Sequence, residues 1–286
     1  MELNSDAPLD PPRDAATVVM LRDAAQGLEV FLVKRHRLSD VLGGAYVFPG
    51  GKLDATDLLL GAHIDQSAAD LHSALGEPNT PPVTALGLYV AALRESFEES
   101  GILFACDALA AQAAMRQAPQ RPFNAWVQER AMTLQTRCLQ PWTRWITPRV
   151  PSVSSKRFDT RFFVAEVPVN QTARHDDIET TASAWLQPKI ALQQYWNRQI
   201  ELAPPQIMSL AQLSHHASVH SVLQEALQRP PPVIFPESHH ESGERFICYP
   251  GDPQHACATR AMPGPTRVYF RNRRFEPAGG FEAWFV

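Results

Sequence analysis

The stretch "ALRESFEESG", Ala92 to Gly101, sets three glutamates, Glu95, Glu98 and Glu99, within five residues. Leu86, Val90, Leu93 and Phe97 recur around it at spacings of three and four, which predicts a helix from Val83 to Ser100. Gly101 falls where such a helix wants a left-handed C-terminal cap. On that helix Glu95 stands at i to Glu98 and Glu99 at i+3 and i+4, so the three carboxylates share one face within about 6 Å at the Cβ level. Two of them occupy the last turn, beside the negative end of the helix dipole, where each anion is disfavoured by about 0.3–1 kcal/mol. A solvated acidic face is the plain account of this crowding. A hard divalent cation is the sharper one, because grouped oxygen ligands suit Mg²⁺ or Mn²⁺, which bind a few carboxylates while holding substrate phosphates.

Working outward, Thr17 to Leu21 and Leu28 to Lys34 read as two β-strands around an Asp-Ala-Ala-Gln-Gly turn. Tyr46 to Phe48 is extended and runs into a Pro-Gly-Gly turn that neither a helix nor a central strand tolerates. The text from Asp57 to about Pro82 is mixed, ends in "GEPNTPPV", and reads as a surface insertion with one short helix. Residues 107–140, rich in Ala, Gln and Leu, predict one or two further helices. Thr160 to Val169 alternates as a strand does, and Ser183 to Leu186 reads as another. Pro188 to Asn197 and Pro205 to Leu227 return to helical texture, and short β candidates follow at Phe246 to Tyr249 and Arg267 to Arg271. Interleaved strands and helices mean a mixed α/β fold.

With 286 residues, 44% of them hydrophobic, the chain can bury a sizeable core, and one elaborated domain is expected. A formal charge of -4 gives no reason to expect a nucleic-acid partner, since a polyanion binder needs a basic face. Cys106, Cys138, Cys248 and Cys257 are scattered without a CxxC pair, which argues against a zinc ribbon or a dense disulfide framework and fits a reducing, cytoplasmic compartment. The opening "MELNSDAPLDPPRDAATVVM" lacks a basic start followed by an apolar core, and no apolar run approaches the roughly 18 residues that span a bilayer. Neither secretion nor membrane insertion is therefore expected.

"RESFEESGI" from Arg94 to Ile102 resembles the second half of the Nudix box, and "FPGGKLDATD" from Phe48 to Asp57 resembles its first half. The motif glycine is then Gly51, and the acidic seventh position is Asp57. Three features depart from the family pattern: Asp57 replaces the usual Glu, Ser96 replaces an apolar residue, and 36 residues separate Asp57 from Arg94 where the family has seven. A box split in this way resembles the coenzyme A diphosphatase branch. So do "WTRWITP" at 142–148, "KRFDTRFF" at 156–163 and "LAPPQ" at 202–206. The segment Leu32 to Gly51 is similar to the signature preceding the box in coenzyme A-cleaving relatives, matching it at Arg35, Gly44 and Phe48 but not at His36 and Asp40.

The resemblance implies an α/β/α sandwich with a mixed sheet, an insertion within the Nudix box, added helices and a C-terminal extension. The boundaries it suggests are a flexible N-terminus over 1–14, a Nudix hydrolase domain over 15–228 with an insertion at about 58–83, and an extension over 229–286 packed on the domain. It implies hydrolysis of a diphosphate joined to another group, with Mg²⁺ or Mn²⁺ as cofactor and a small-molecule diphosphate as the partner. Coenzyme A or an acyl-coenzyme A is the leading substrate, and ADP-ribose or a nucleotide sugar is the alternative within the class. Glu95, Glu98 and Glu99 become candidate metal ligands together with the backbone of Gly51, and Arg94 is expected to orient a neighbouring carboxylate. The general base is either a box glutamate or an acid of "HDDIET", Asp177 or Glu179, of which Glu179 is preferred.

Lys34, Arg35 and Arg157 are candidates for gripping phosphates, since arginine presents paired donors to phosphate oxygens. Phe158 and Trp145 are candidates for stacking on an adenine, with core packing the alternative for both. Two readings from other classes remain: a Nudix-fold module that senses a nucleotide without cleaving it, and a histidine-rich metal-binding protein. For the second, His215, His216 and His220 fall on one expected helix, and "HHES" at 239–242 and His255 with Cys248 and Cys257 extend the set, but no HExxH accompanies them. Many Nudix proteins are dimers, and the resemblance carries that expectation.

Overall fold

The computed structural model describes residues 11–36, 42–106, 108, 121–149, 156–176, 179–241 and 243–286. Strand alternation divides its interior in two. In β1 (Arg13–Ala24), Ala16, Val18 and Met20 enter one apolar core while Val19 and Leu21 enter the other. In β2 (Gly27–Arg35), Phe31 and Val33 face the first core and Val30 and Leu32 the second. Strands buried on both faces lie at the centre of a three-layer fold.

The hairpin β1–β2 is antiparallel, with Leu21 opposite Val30. Short β3 (Tyr46–Val47) pairs with β2, and β4 (Gly50–Lys52) folds back on β1 so that Gly51 lies opposite Ala16. Next come β5 (Gln140–Ile146), β6 (Phe158–Glu166), β7 (Thr180–Leu186) and β8 (Val233–Ile234). The strand order is β3-β2-β1-β6-β5-β8, with β4 alongside β1 and β7 alongside β2. The β1–β6 and β5–β8 pairs are parallel and the others antiparallel, so the sheet is mixed.

Helices α1 (Ala68–Leu75), α2 (Pro82–Ser100) and α3 (Phe123–Glu129) cover the first face. Helices α4 (Pro188–Trp196), α5 (Pro204–Leu213) and α6 (Val219–Gln228) cover the second. A separate antiparallel sheet, β9 (Glu237–Glu241), β10 (Glu244–Cys248), β11 (Arg267–Arg271) and β12 (Arg274–Glu276), adds Ile247, Val268 and Phe275 to the second core. Buried Tyr195 of α4 ties this sheet down, its hydroxyl donating to Phe275 O at 3.0 Å and accepting from Phe275 N at 2.7 Å. Among the described residues no helix is long and apolar enough to cross a membrane.

Two stretches differ from the sequence expectation, while 107–140 holds a further helix as expected. The stretch from Asp57 to Pro82 is not confined to the surface: two 3-10 turns, Ala55–Leu59 and Gly61–His63, lead into α1, and Leu60, Leu71 and Leu75 are buried in the first core. Helix α1 has its own start signal, a capping box in which Ser67 and Asp70 bond each other's backbone. Within 107–140 the described helix is α3, residues 109–120 lie outside the described residues, and β5 begins at Gln140. The helical texture from Pro205 to Leu227 is two helices, because Ser218 is extended and caps α6 by accepting from Ser221 N.

Candidate active site

Helix α2 begins at Pro82, whose fixed φ suits a first helical turn, and ends at Gly101, whose φ of 71° and N–H bond to Phe97 O at 2.7 Å close the last turn. Its C-terminal half carries the box residues over β4. Arg94 is 7% exposed, which its charge permits because every guanidinium nitrogen is bonded. Nε and Nη2 each donate to the Asp57 carboxylate at 3.0 Å as a paired fork. Nη2 also donates to Lys52 O at 3.0 Å, and Nη1 donates to Glu95 Oε1 at 2.7 Å and Glu98 Oε2 at 2.9 Å.

Asp57 is 0% exposed. It further accepts from Asn124 Nδ2 at 3.2 Å and from Asp54 N at 3.0 Å, the latter as the capping box of its own 3-10 turn. Four donors leave this carboxylate as an anchor for Arg94. Neither the anchor role of Asp57 nor Asn124 is foreseen from the sequence: the box pairing marks Arg94 and Asp57 as motif members only, and α3 carries no motif.

The three glutamates sit around the glycine turn. A Cβ on Gly51 would lie 2.3 Å from Glu95 Oε1, so the bare glycine is what gives that carboxylate room. Glu99 is 2% exposed, accepts from Gly50 N at 3.1 Å and has Arg35 Nη1 at 3.8 Å. Burial pushes the Glu95 carboxyl up to about 7 and that of Glu99 up to about 8, and it raises Glu98 as well. The charge of Glu179 adds to the upward push on all three, so β7 brings that residue to the same place.

This set fits a hard divalent cation. The donors are all oxygen, the buried charges are disfavoured in its absence, and the bare Gly51 lets the Glu95 carboxylate come close to the backbone. Among the described residues no three His, Cys, Asp or Glu side chains already converge as a metal shell. Arg94 stands between Glu95 and Glu98 and balances their charge instead.

Above the cluster opens a cavity of about 890 Å³, within the range of small-molecule sites. Arg94, Glu95, Glu98, Gly51, Glu179, Arg35 and Phe158 line it, and Glu99 lies behind Gly50. Two expected phosphate groups are elsewhere. Lys34 neighbours Arg35 on a strand whose successive side chains alternate faces, and its ammonium lies 5.8 Å from the Tyr46 ring. Arg157 donates to Pro148 O and Thr147 O, both at 3.2 Å, joining the β5 and β6 ends. Arg13, Lys52 and Lys156 line the cavity in their stead, along with Gln206 from the start of α5. Only tertiary packing gathers these four.

Trp145 packs its ring against Phe162 and Tyr249. Asp177 lies outside the described residues. His215 and His216 fall in the turn between α5 and α6, not on one helix with His220; His216 Nε2 pairs with Glu225 Oε2 at 2.7 Å. His255 Nε2 meets Phe235 O at 2.8 Å and His239 stacks on Phe246, so neither is grouped with the turn.

The chain is similar to the acyl-coenzyme A diphosphatase NUDT19 of Xenopus laevis, 27% identical over 237 residues that cover 68% of this chain and 62% of that protein. Its counterpart from Gallus gallus is 26% identical over 239 residues, covering 68% and 63%. The chain thus spans a little over three-fifths of the length of these relatives. Among solved structures, a NUDIX hydrolase from Alicyclobacillus acidocaldarius superposes with a TM-score of 0.60 at 24% identity, covering 76% of this chain and 97% of that one, which establishes the fold. The family described as the NUDT19 Nudix domain matches residues 69–213, half of the chain and inclusive of "RESFEESGI". Its carboxylate helix, glycine turn and three-layer fold are those of a family member: the chain belongs to the NUDT19 Nudix domain family.

Proposed function

We propose that this protein is a divalent-metal-dependent hydrolase of a nucleoside diphosphate joined to a second group, with coenzyme A or an acyl-coenzyme A as substrate. The observation that carries the proposal is the convergence of Glu95, Glu98, Glu99 and Glu179 with Arg35 at one end of a cavity large enough for a nucleotide. The names of the relatives support the substrate class, and the match of Arg35, Gly44 and Phe48 to the upstream signature supports it from the sequence.

Glu95, Glu98 and Glu99, with the Gly51 carbonyl, would hold the Mg²⁺ or Mn²⁺. Bound there, the cation supplies charge neutralisation of the diphosphate and a lowered pKa for the attacking water. The remaining roles belong to the chain. Arg35 donates to phosphate oxygens at the cavity wall, and Arg13, Lys52 and Lys156 raise the local positive potential that draws the substrate in. Arg94, locked by Asp57, which Asn124 holds in turn, fixes the carboxylates of Glu95 and Glu98. Glu179 faces the cavity from just before β7 and takes the proton of the attacking water. The catalytic unit on this reading is the Nudix domain over 15–228, with 229–286 as its extension.

The test is a product assay by mass spectrometry, with Mg²⁺ or Mn²⁺ and a panel of coenzyme A, acetyl-coenzyme A, ADP-ribose, NADH and diadenosine polyphosphates. Release of adenosine 3′,5′-bisphosphate from the coenzyme A members is expected. Silence across the panel would overturn the hydrolase reading, and turnover of the others alone would overturn the substrate. Glu98→Gln is expected to abolish turnover while changing stability by less than about 1 kcal/mol, since this half-exposed carboxylate makes one ion pair in the cluster.

A further inference from the structure

A second, smaller chamber of about 210 Å³ opens beside the main cavity and shares Thr17, Leu42, Lys156, Phe158, Thr160 and Gln206 with it. The two are therefore contiguous. The chemistry changes across the shared wall. The main cavity holds the carboxylates and most of the cations, whereas eleven of the sixteen residues around the chamber are apolar and none is acidic. Ala203, Pro204 and Pro205 form one side, Trp145 and Phe162 another, and Pro236 and Ile247 come from beyond residue 229. A volume below the roughly 300 Å³ of a complete ligand site suits an appendage of a ligand seated next door.

Gln206 stands at the junction. It is 7% exposed, and its side-chain Oε1 is buried with no hydrogen-bond partner. A buried carboxamide oxygen without a donor costs free energy unless something supplies one. An amide in a bound chain does so, because its N–H is a donor.

We propose that this chamber is a specificity subsite that takes the chain esterified to the diphosphate, an extended, largely apolar chain bearing an amide group, with Gln206 reading that amide at the entrance. The inference rests on the hydrolase reading above and extends it by giving the residues beyond 229 a part in substrate choice, through Pro236 and Ile247. Phe158 lines both spaces, as a chain passing from one to the other requires of the wall between them.

The experiment measures kcat/KM for three diphosphates of the same nucleotide: coenzyme A, an analogue with a plain alkyl chain of equal length, and one with a methyl ester in place of the chain. Ala203→Leu, which narrows the chamber, is expected to lower the ratio of coenzyme A to methyl ester at least tenfold. Gln206→Leu is expected to lower the ratio of coenzyme A to the alkyl analogue at least fivefold, and a melting curve for each variant reports on its folding. Unchanged ratios in folded variants overturn the subsite while leaving the hydrolase intact. Wild-type protein that cleaves none of the three overturns the subsite together with coenzyme A as the substrate. Should Ala203→Leu fail to fold, the Gln206→Leu ratio decides alone.

Discussion

Asp57→Asn isolates the anchor of the cluster from its ligands. The carboxylate is fully buried and receives four donors: Arg94 Nε and Nη2 at 3.0 Å each, Asn124 Nδ2 at 3.2 Å and Asp54 N at 3.0 Å. Asparagine keeps the shape, but its NH₂ must face one of those donors, and its neutral amide leaves the buried guanidinium short of a counter-charge. Removing one partner of a buried ion pair costs about 3–5 kcal/mol. Nη1 still holds Glu95 and Glu98, so the lower end, about 3 kcal/mol, applies. With a urea slope near 3 kcal/mol/M for a chain of this size, the midpoint should fall by about 1 M. Asp54→Ala is the milder comparison: that carboxylate is 40% exposed, pairs with Lys52 at 3.0 Å, lies 3.8 Å from Arg94 Nη2 and caps the turn carrying Asp57, so its loss should cost about 1 kcal/mol. Urea titration followed by tryptophan fluorescence reads both. An Asp57→Asn midpoint within 0.3 M of wild type would refute the anchor, because it would mean that the glutamates and Lys52 O hold Arg94 without it.

Gly51→Ala tests the cradle: the added methyl would sit 2.3 Å from Glu95 Oε1, forcing the carboxylate off Arg94. Metal-dependent turnover should fall at least tenfold with a stability loss of about 1–3 kcal/mol, and normal turnover with unaltered metal dependence would sink the idea. A pH effect is expected at the α5–α6 turn, where burial alone would raise the Glu225 carboxyl but bonds from His216 and Arg229 bring it down from 4.5 to about 2. A depressed carboxyl stabilises the fold above its unfolded value, so this contribution is whole above pH 4.5 and is lost as the pH falls towards 2. At 1.36 kcal/mol per unit, discounted for the part of the carboxylate still in water, the loss is roughly 2 kcal/mol. Urea midpoints of wild type and Glu225→Gln between pH 3 and pH 6 should converge at the acid end; a constant gap would show that Glu225 does not titrate as stated.

What the sequence disclosed follows physical scale. Helix α2 and the β1–β2 hairpin are legible because local periodicity and a cap determine them, and the box residues because chemistry demands them at fixed spacing. Lys34 is misplaced because the sequence shows the charge but not the face of the strand. Arg157 bonds backbone carbonyls of β5's end, a contact no local pattern encodes. Arg13, Lys52, Lys156 and Gln206 come from four distant segments, so their assembly is a property of the sheet order and of the packing of α5 on it. Strand β5 escapes notice for a related reason: Trp142, Thr143 and Trp145 are all buried, and a strand buried on both faces shows little alternation.

The 36 residues between Asp57 and Arg94 raise a further question, how a box so divided can still close. Lengthening a connection from seven residues to 36 costs about 1.5 kcal/mol of closure entropy on a logarithmic scale. Burial of Leu60, Leu71 and Leu75 in the first core contributes about 1.5–3 kcal/mol each before their own ordering is counted. The far end is pinned as well. Glu77 accepts from Arg161 Nε at 3.0 Å and Nη2 at 2.7 Å and from Thr80 Oγ1 at 2.7 Å, and Arg144 Nη1 lies 3.1 Å away. Burial works against that carboxylate, yet the Arg161 bonds hold it below the usual range. The insertion is thus bound to α2 by apolar contacts and to β5 and β6 by a buried carboxylate. That leaves the Asp57 fork free to meet Arg94 as though the two halves were adjacent in sequence.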